Sequence, residues 1–479
     1  MLRTLTFALL FLVSNASAQT TFNQEYMNGN TQIISHSTLE NADGSFLIAG
    51  NADTSINGLQ GGAGFIKKTN PAGIEQWTKY YTFPGTFGVE LNKIIKTADS
   101  NYVVVGSIDF GFGIGPTFVD ALICKVDTAG NLLWAKWYGD VGTDAVKDIR
   151  EMPNGDLQLF VSYGKEENLF IYNTYQIITT NANGDSIWSK QYYRNDQQEQ
   201  FPVTFCETSD AGLILSGEIT NNNGTGNGFL IKTDSIGDTL WTYTLNPNTS
   251  SNIFKVISAN GSFFLIGNMD MGFNDWKIII SNHTNSGIIN WQATLNETNL
   301  TVFSAVRSQD GGFALACMRS DSLGDKEIIL KTDSLGVKLW ELEIPLTTLY
   351  LPTDIITTSD SSLVVTGYSN LTSINAIHFT KISGTGSTTG IDPTGTISTS
   401  FIYPNPASNS ITIQYHENKD RKSHSLYFLN TQGQLLKEIS LQETRSSEID
   451  ISELNPGVYI LVLEGPDKNV VSHFKLIKE

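Results

Sequence analysis

Apolar and polar positions alternate along most of this chain in short runs, and polar turns containing Gly separate the runs. Phe46-Leu47-Ile48-Ala49-Gly50, Phe65-Ile66-Lys67-Lys68-Thr69 and Ile328-Ile329-Leu330-Lys331-Thr332 are typical. Their length, β-branched content and flanking turn residues predict strands. No long stretch keeps a helical period with caps at its ends, so helical solenoids are excluded.

The pattern recurs. Lys125-Val126-Asp127-Thr128-Ala129-Gly130-Asn131-Leu132-Leu133-Trp134 is an apolar run, a polar turn with Gly, and a Trp four residues after the Gly. The same spacing returns at Gly73 and Trp77, Gly184 and Trp188, Gly237 and Trp241, Gly287 and Trp291, and Gly336 and Trp340. Successive repeat Trp residues lie 57, 54, 53, 50 and 49 residues apart. A second marker, an Asp- or Asn-led turn into an apolar strand, starts near Asp43, Asp99, Asn154, Asp210, Asn260, Asp310 and Asp360. Each unit therefore holds four short strands, and four-stranded units of about fifty residues predict β-propeller blades. Strands of the Phe46 type number seven, but only six Trp strands follow them. The missing fourth strand is at the front, where Thr21-Phe22-Asn23-Gln24-Glu25-Tyr26 aligns with Gln76-Trp77-Thr78-Lys79-Tyr80-Tyr81 and puts Phe22 in the Trp slot. The expectation is all-β: a seven-bladed propeller over residues 19–382, closed by its N-terminal strand. Gly allows positive φ at the turn, and Trp has the area to fill the wedge between blades, with an indole N–H able to reach a turn carbonyl.

Strand alternation puts the one-two and three-four turns on one face, where they are short and regular. The two-three and four-one connections on the other face differ from unit to unit: 51–62, 107–120, 163–173, 193–201 and 219–228. Variable loops on a rigid scaffold are where binding residues are expected. The candidates there are Asp109, Phe110 and Phe112, the acidic pair Asp140 and Asp144, and Asp270, Phe273, Asp275 and Trp276.

The ends of the chain differ from the middle. Met1-Leu2-Arg3, the apolar run Leu5 to Val13 and the small residues Ala16-Ser17-Ala18 predict a signal peptide over residues 1–18, cleaved between Ala18 and Gln19. No run reaches the length of a membrane helix. Residues 383–400, rich in Gly, Ser and Thr, read as a flexible linker. From Phe401 onward charged residues are dense and short strands alternate, which predicts a small antiparallel sandwich.

Charge and composition narrow the function classes. The net charge is −18 with charged residues only 16% of the chain, and residues 401–479 hold 8 Lys and Arg against 10 Asp and Glu. The acidity thus belongs to the repeat region and excludes the basic footprint of a nucleic-acid binder. Cys124, Cys206 and Cys317 are widely spaced inside apolar runs and read as buried small hydrophobes. His36, His283, His378, His416, His424 and His473 lack ligand spacing. No metalloprotease, nucleophile-elbow or paired-Cys motif occurs. Gly111-Phe112-Gly113-Ile114-Gly115 lacks the strand-to-helix setting of a nucleotide loop, and Asp140-Val141-Gly142-Thr143-Asp144 lacks EF-hand spacing. Neither a catalytic residue, a cofactor nor a metal is expected.

Two resemblances concern the repeats. Asp127, Gly130 and Trp134 are spaced much like the Trp-docking motif of quinoprotein propellers, with one residue fewer between Asp and Gly, and like the sialidase Asp-box, with both intervals one residue longer. In both families the motif is structural, so neither resemblance implies a quinone or a sialidase site. The C-terminal segment resembles the type A C-terminal sorting domain of the type IX secretion system. Tyr403-Pro404-Asn405-Pro406-Ala407, Leu429-Asn430-Thr431-Gln432-Gly433, Leu454-Asn455-Pro456-Gly457-Val458-Tyr459-Ile460-Leu461 and Phe474-Lys475-Leu476-Ile477-Lys478 carry it. It implies export across both membranes by the type IX machinery, engaged through residues 401–479, followed by removal of the domain and release or surface attachment. The expectation is an exported surface propeller that binds protein or glycan. The alternatives are a secreted glycoside-cleaving hydrolase with an acidic site at the channel mouth, and a structural surface protein.

Overall fold

The computed structural model describes residues 20–27, 32–54, 61–111, 119–139, 142–167, 170–192, 199–220, 226–247, 249–272, 276–297, 299–321, 324–344, 350–369, 376–383, 401–403, 407–414, 424–430, 435–441, 446–464 and 470–478. The chain divides into two compact units, Met1–Thr388 and Thr389–Glu479. Every regular element among the described residues is a strand.

In the first unit the strands form four-stranded antiparallel sheets, repeated in a propeller-like series. The second sheet shows the plan: an inner strand Gly88–Lys96, two central strands Tyr102–Asp109 and Val119–Val126, and an outer strand Leu132–Tyr138. The central strands are apolar on both faces and almost wholly buried, because a sheet lies on each side. The outer strand is partly exposed along its length. Six sheets take their strands in sequence order. The last, from Tyr350–Thr357, Leu363–Ser369 and Ala376–Ile382, receives Thr20–Met27 as its fourth strand, with Gln24 opposite Phe379 and Tyr26 opposite Ile377.

Each apolar core lies between two successive sheets. Leu47, Ile66, Leu91 and Leu122 join the first to the second, and Val105, Ile123, Ile149 and Leu159 join the second to the third. Phe46, Phe65, Phe379 and Tyr26 join the last sheet to the first. The repeat residues work across these boundaries. A Cβ on Gly130 would come within 2.8 Å of the Trp77 ring, one on Gly184 within 2.7 Å of Trp134, and one on Gly237 within 2.7 Å of Trp188. These three Trp rings thus lie on the Gly turn of the following sheet, and Phe22 lies on Gly73 in the same way. After the first three Trp residues a Tyr four positions on seals the contact: Tyr81 Oη donates to the Gly130 carbonyl at 2.8 Å and Tyr192 Oη to that of Gly237 at 3.0 Å. Trp241 Nε1 reaches the Asn285 carbonyl at 3.0 Å.

Every inner strand carries a β-bulge at the same place, before Ser37, Lys93, Asp148, Thr204, Lys255, Ser304 and Asp354. A bulge bends and twists its strand and re-aims the next side chain. Several connections are shorter than the sequence suggests. Residues 163–173, expected as a loop, are mostly hairpin: Tyr163 pairs with Thr174 and Glu167 with Phe170. Asp109 ends a strand opposite Val119 and Trp276 begins one opposite Asp270, because backbone pairing extends past the apolar positions into polar sequence.

In the second unit a three-stranded sheet (Phe401–Tyr403, Ser410–Gln414, Ser446–Asp450) and a four-stranded sheet (His424–Leu429, Leu435–Leu441, Gly457–Glu464, Val470–Lys478) share one core. Ile411, Ile413 and Ile449 meet Leu426, Phe428, Leu461 and Leu476 in it.

Candidate functional site

The variable end of the second sheet gathers aromatic side chains from three segments. Phe83 and Phe87 lie in the connection entering the sheet, Phe110 follows its second strand, and Trp137 stands near the end of its outer strand. The Trp137 ring meets Phe83 edge-on at 6.2 Å and Phe110 at 6.0 Å. These contacts hold the indole while leaving Trp137 45% exposed, and Phe87 is 57% exposed. Asp109 braces the connection: its Oδ1 accepts the Gly111 N–H and its carbonyl the Phe87 N–H, both at 2.7 Å. Gly111 has φ +77°, and a Cβ there would overlap the Phe87 ring where it stands, so the position favours Gly.

Beside Trp137, two adjoining hollows of about 540 and 510 Å³ run along the outer strand toward the third sheet. The upper one takes in Asp120, Tyr163, Gln176 and Ser189, the lower one Lys136, Gly184 and Asp185. Lys136 and Asp185 form an ion pair across the cleft between sheets. The carboxylates of Asp120 and Asp144 converge on Gly139, whose missing Cβ makes room for both. Asp144 is 1% exposed, and its Oδ1 accepts the Gly164 N–H at 2.7 Å. Among the described residues, no three His, Cys, Asp or Glu side chains are grouped to hold a metal ion.

A second polar set lies on the inner strands. His36 Nε2 is 2.7 Å from Asn51 Oδ1 and 3.2 Å from Glu90 Oε1. Lys93 Nζ lies 3.8 Å from Asp354 Oδ2, which also accepts the Thr38 N–H at 2.9 Å. Asp148 accepts the Thr204 hydroxyl at 2.7 Å. The Asp354 charge raises the Lys93 amine above its ordinary value against the effect of burial, with Asp148 adding to the rise.

Of the residues singled out from sequence, Asp109 and Phe110 belong to the aromatic end, and Asp144 lies near Asp120 instead of in a described pair with Asp140. Trp276 and Asp270 stand on the fifth sheet and do not join the cluster. Phe112, Asp140, Phe273 and Asp275 lie outside the described residues, as do Ala18, Gln19, Pro404, Asn405, Pro406 and Gly433. The backbones of Tyr403 and Lys475 are in strands, opposite Thr412 and Ile460, but their side chains are outside the described set. Gly457 opens a strand, and Tyr459 is buried with its hydroxyl donating to the Asn455 carbonyl at 2.7 Å. Phe83, Phe87, Asp120, Tyr163, Gln176 and the bulge residues were not anticipated. Aligning the units on their bulges would have exposed the charged series at Lys93, Asp148, Lys255 and Asp354.

The C-terminal unit is the part that comparison identifies. Residues 401–479 match the family described as the secretion system C-terminal sorting domain. This segment is a sorting domain. A sorting domain of the type IX system directs its chain to that machinery and on to the cell surface or medium. No curated protein matches the chain. Solved structures similar to it include a catalytically inactive virginiamycin B lyase variant from Staphylococcus aureus with quinupristin, at 15% identity and a TM-score of 0.46, covering 76% of this chain and 99% of that one. A protein of unknown function from Dyadobacter fermentans has 10% identity and a TM-score of 0.46 over the same shares. Puromycin hydrolase has 9% identity and a TM-score of 0.48, covering 82% of this chain and 59% of that one. Likenesses at this level carry no functional argument.

Proposed function

We propose that this chain is an exported binding module. In this reading residues 1–18 are a cleaved signal peptide, residues 19–382 a seven-bladed propeller closed by Thr20–Met27, residues 383–400 a linker, and residues 401–479 the sorting domain that takes the chain across the outer membrane. The pairing of Thr20–Met27 with Ala376–Ile382 and the core between the last and first sheets support closure. The observation that carries the functional half is the half-exposed Trp137, braced by two Phe rings at the variable end. A large rigid aromatic held in this way suits recognition of a protein or glycan partner. In a host with type IX secretion, the full chain is expected at the surface or in the medium, and a chain ending at residue 400 inside the cell. Fractionation and immunoblotting decide this, and equal export of both chains would sink the export half.

A second reading, hydrolysis at the inner strands, has the charged set of Lys93, Asp148 and Asp354 on its side. It predicts polysaccharide cleavage that Asp148→Asn or Asp354→Asn abolishes, read as release of reducing ends. No release by the unaltered chain would eliminate it for the polysaccharides tried.

A further inference from the structure

We infer that the cleft along the outer strand Leu132–Tyr138 of the second sheet is a binding subsite for a neutral oligosaccharide. The inference rests on the binding-module reading and gives it a partner class. Three features of the cleft point the same way.

Trp137 lines both hollows, and its contacts with Phe83 and Phe110 restrict its rotation. Little side-chain entropy therefore remains to be lost when a ligand lies against it. The negative face of an indole attracts the weakly positive C–H face of a pyranose ring, which has no other strong partner on a protein surface.

The polar groups beside the indole are of the kinds that recognise sugar hydroxyls. Asp120 brings a carboxylate, Tyr163 a half-buried phenol and Ser189 an exposed hydroxyl, with the buried Gln176 amide behind them. Vicinal sugar hydroxyls need this mixture, since each is a donor and an acceptor at once. The two hollows share Trp137, Tyr138 and Ser186 and open to solvent along the strand. That geometry lets a polymer lie through the cleft without being cut to fit.

Charge restricts the polymer. Asp120, Asp144 and Asp185 stand around the cleft, the cation Lys136 is engaged by Asp185, and the whole chain carries −18. An anionic glycan meets repulsion there, and a neutral one does not. An extended peptide pairing with the strand edge is the competing occupant, but it would be held by backbone hydrogen bonds and would not depend on the indole.

The test is calorimetric and fluorescence titration of the full chain with cellohexaose, chitohexaose, mannohexaose and laminarihexaose, with polygalacturonate as an anionic probe and an array of extended peptides. At least one neutral hexasaccharide is expected to bind and perturb tryptophan emission. Trp137→Ala is expected to weaken it at least tenfold, and Trp137→Phe less. Ser189→Arg fills the upper hollow while leaving the Trp137 side chain in place, and is expected to block binding as well. Melting curves matching the unaltered chain show that each variant is folded. Binding that survives both Trp137→Ala and Ser189→Arg overturns the site. Binding of polygalacturonate or a peptide through Trp137 overturns the partner class but leaves the binding module standing. Failure of every probe overturns both readings.

Discussion

The turn glycines do two jobs that can be separated by substitution. Gly130 has φ +79°, and the Trp77 ring stands 2.8 Å from where its Cβ would be. Gly155 has φ +85° but nothing within 4 Å. At Gly155 an alanine meets only the left-handed backbone penalty, about 1–2 kcal/mol. At Gly130 it also pushes into a packed indole, for roughly 1–3 kcal/mol more. Chemical denaturation is therefore expected to rank Gly130→Ala well below Gly155→Ala, and equal losses would show that the indole yields without strain. The sequence made the Gly and Trp pair legible as a period, and it made Phe22 legible as the same element out of place. It did not show that a Trp covers the Gly of the next unit instead of its own, because a period says nothing about which neighbour is touched. The aromatic end was half legible. Phe110 sits in an evidently variable connection, but Phe83 and Phe87 enter from the connection before the unit, and Trp137, though one of two Trp residues outside the repeat slots, falls inside a predicted strand and not in a loop.

Within a sheet, the third strand is tied to the one-two turn by an ion pair that recurs. Lys125 bonds Asp99 at 2.6 Å, Lys232 bonds Asp210 at 3.0 Å, Lys331 bonds Asp310 at 2.8 Å and Lys381 bonds Asp360 at 2.8 Å. The Lys232 side chain is fully buried, while that of Asp210 is 47% exposed. Removing the buried partner of such a pair costs little, so Lys232→Met is expected to lie within about 1 kcal/mol of the unaltered chain. Asp210→Ala leaves a buried ammonium without its counter-charge and is expected to cost about 2–3 kcal/mol, less than for a fully buried pair because Asp210 is half in water. The opposite order in urea melts would mean that Lys232 does not depend on Asp210 for its counter-charge. The four carboxylates also set an acid limit. Partial burial raises each one, but bonds from the Lys and the turn amides, joined by a turn hydroxyl at Asp99, Asp210 and Asp360, outweigh it, so Asp99, Asp210, Asp310 and Asp360 all sit below the ordinary carboxylate value. A lowered folded value means that the contribution is complete above about pH 4, where an unfolded Asp is ionised, and is lost as pH falls through the folded values. The melting temperature is expected to be flat on this account from neutrality to about pH 5 and to drop below pH 4, with a shallower drop in Asp99→Asn. These pairs were not read from sequence, since Lys and Asp there lie 21 to 26 residues apart and only hairpin register brings them together.

At the scale of the whole molecule, the ends of the repeat region hold each other. Asn23 Oδ1 lies 2.9 Å from His378 Nε2, and His378 Nδ1 lies 3.3 Å from Glu327 Oε2 on the sixth sheet, with both of those side chains shut off from solvent. Ser359 N–H donates to Glu40 at 2.6 Å, which ties the turn of the last sheet to the first. The closed ring proposed above gives these contacts a consequence. The N-terminal strand is covalently remote from its sheet but pairs with it as its outer strand, so its position in the chain is arbitrary. A permuted chain that begins at Gln32 and carries residues 20–27 after Ile382, through a short Gly-rich turn, is expected to melt within a few degrees of the unaltered chain. Simple deletion of residues 20–27 uncovers Phe46, Phe379 and the edge of Ala376–Ile382 together. It is expected to lower the melting temperature by about 10 °C or more and to promote self-association through the bared strand. Calorimetry and light scattering on the permuted and the shortened chain distinguish the cases. A deletion that melts and scatters like the intact chain would mean that the last sheet completes itself without the first strand, and the ring would then be open.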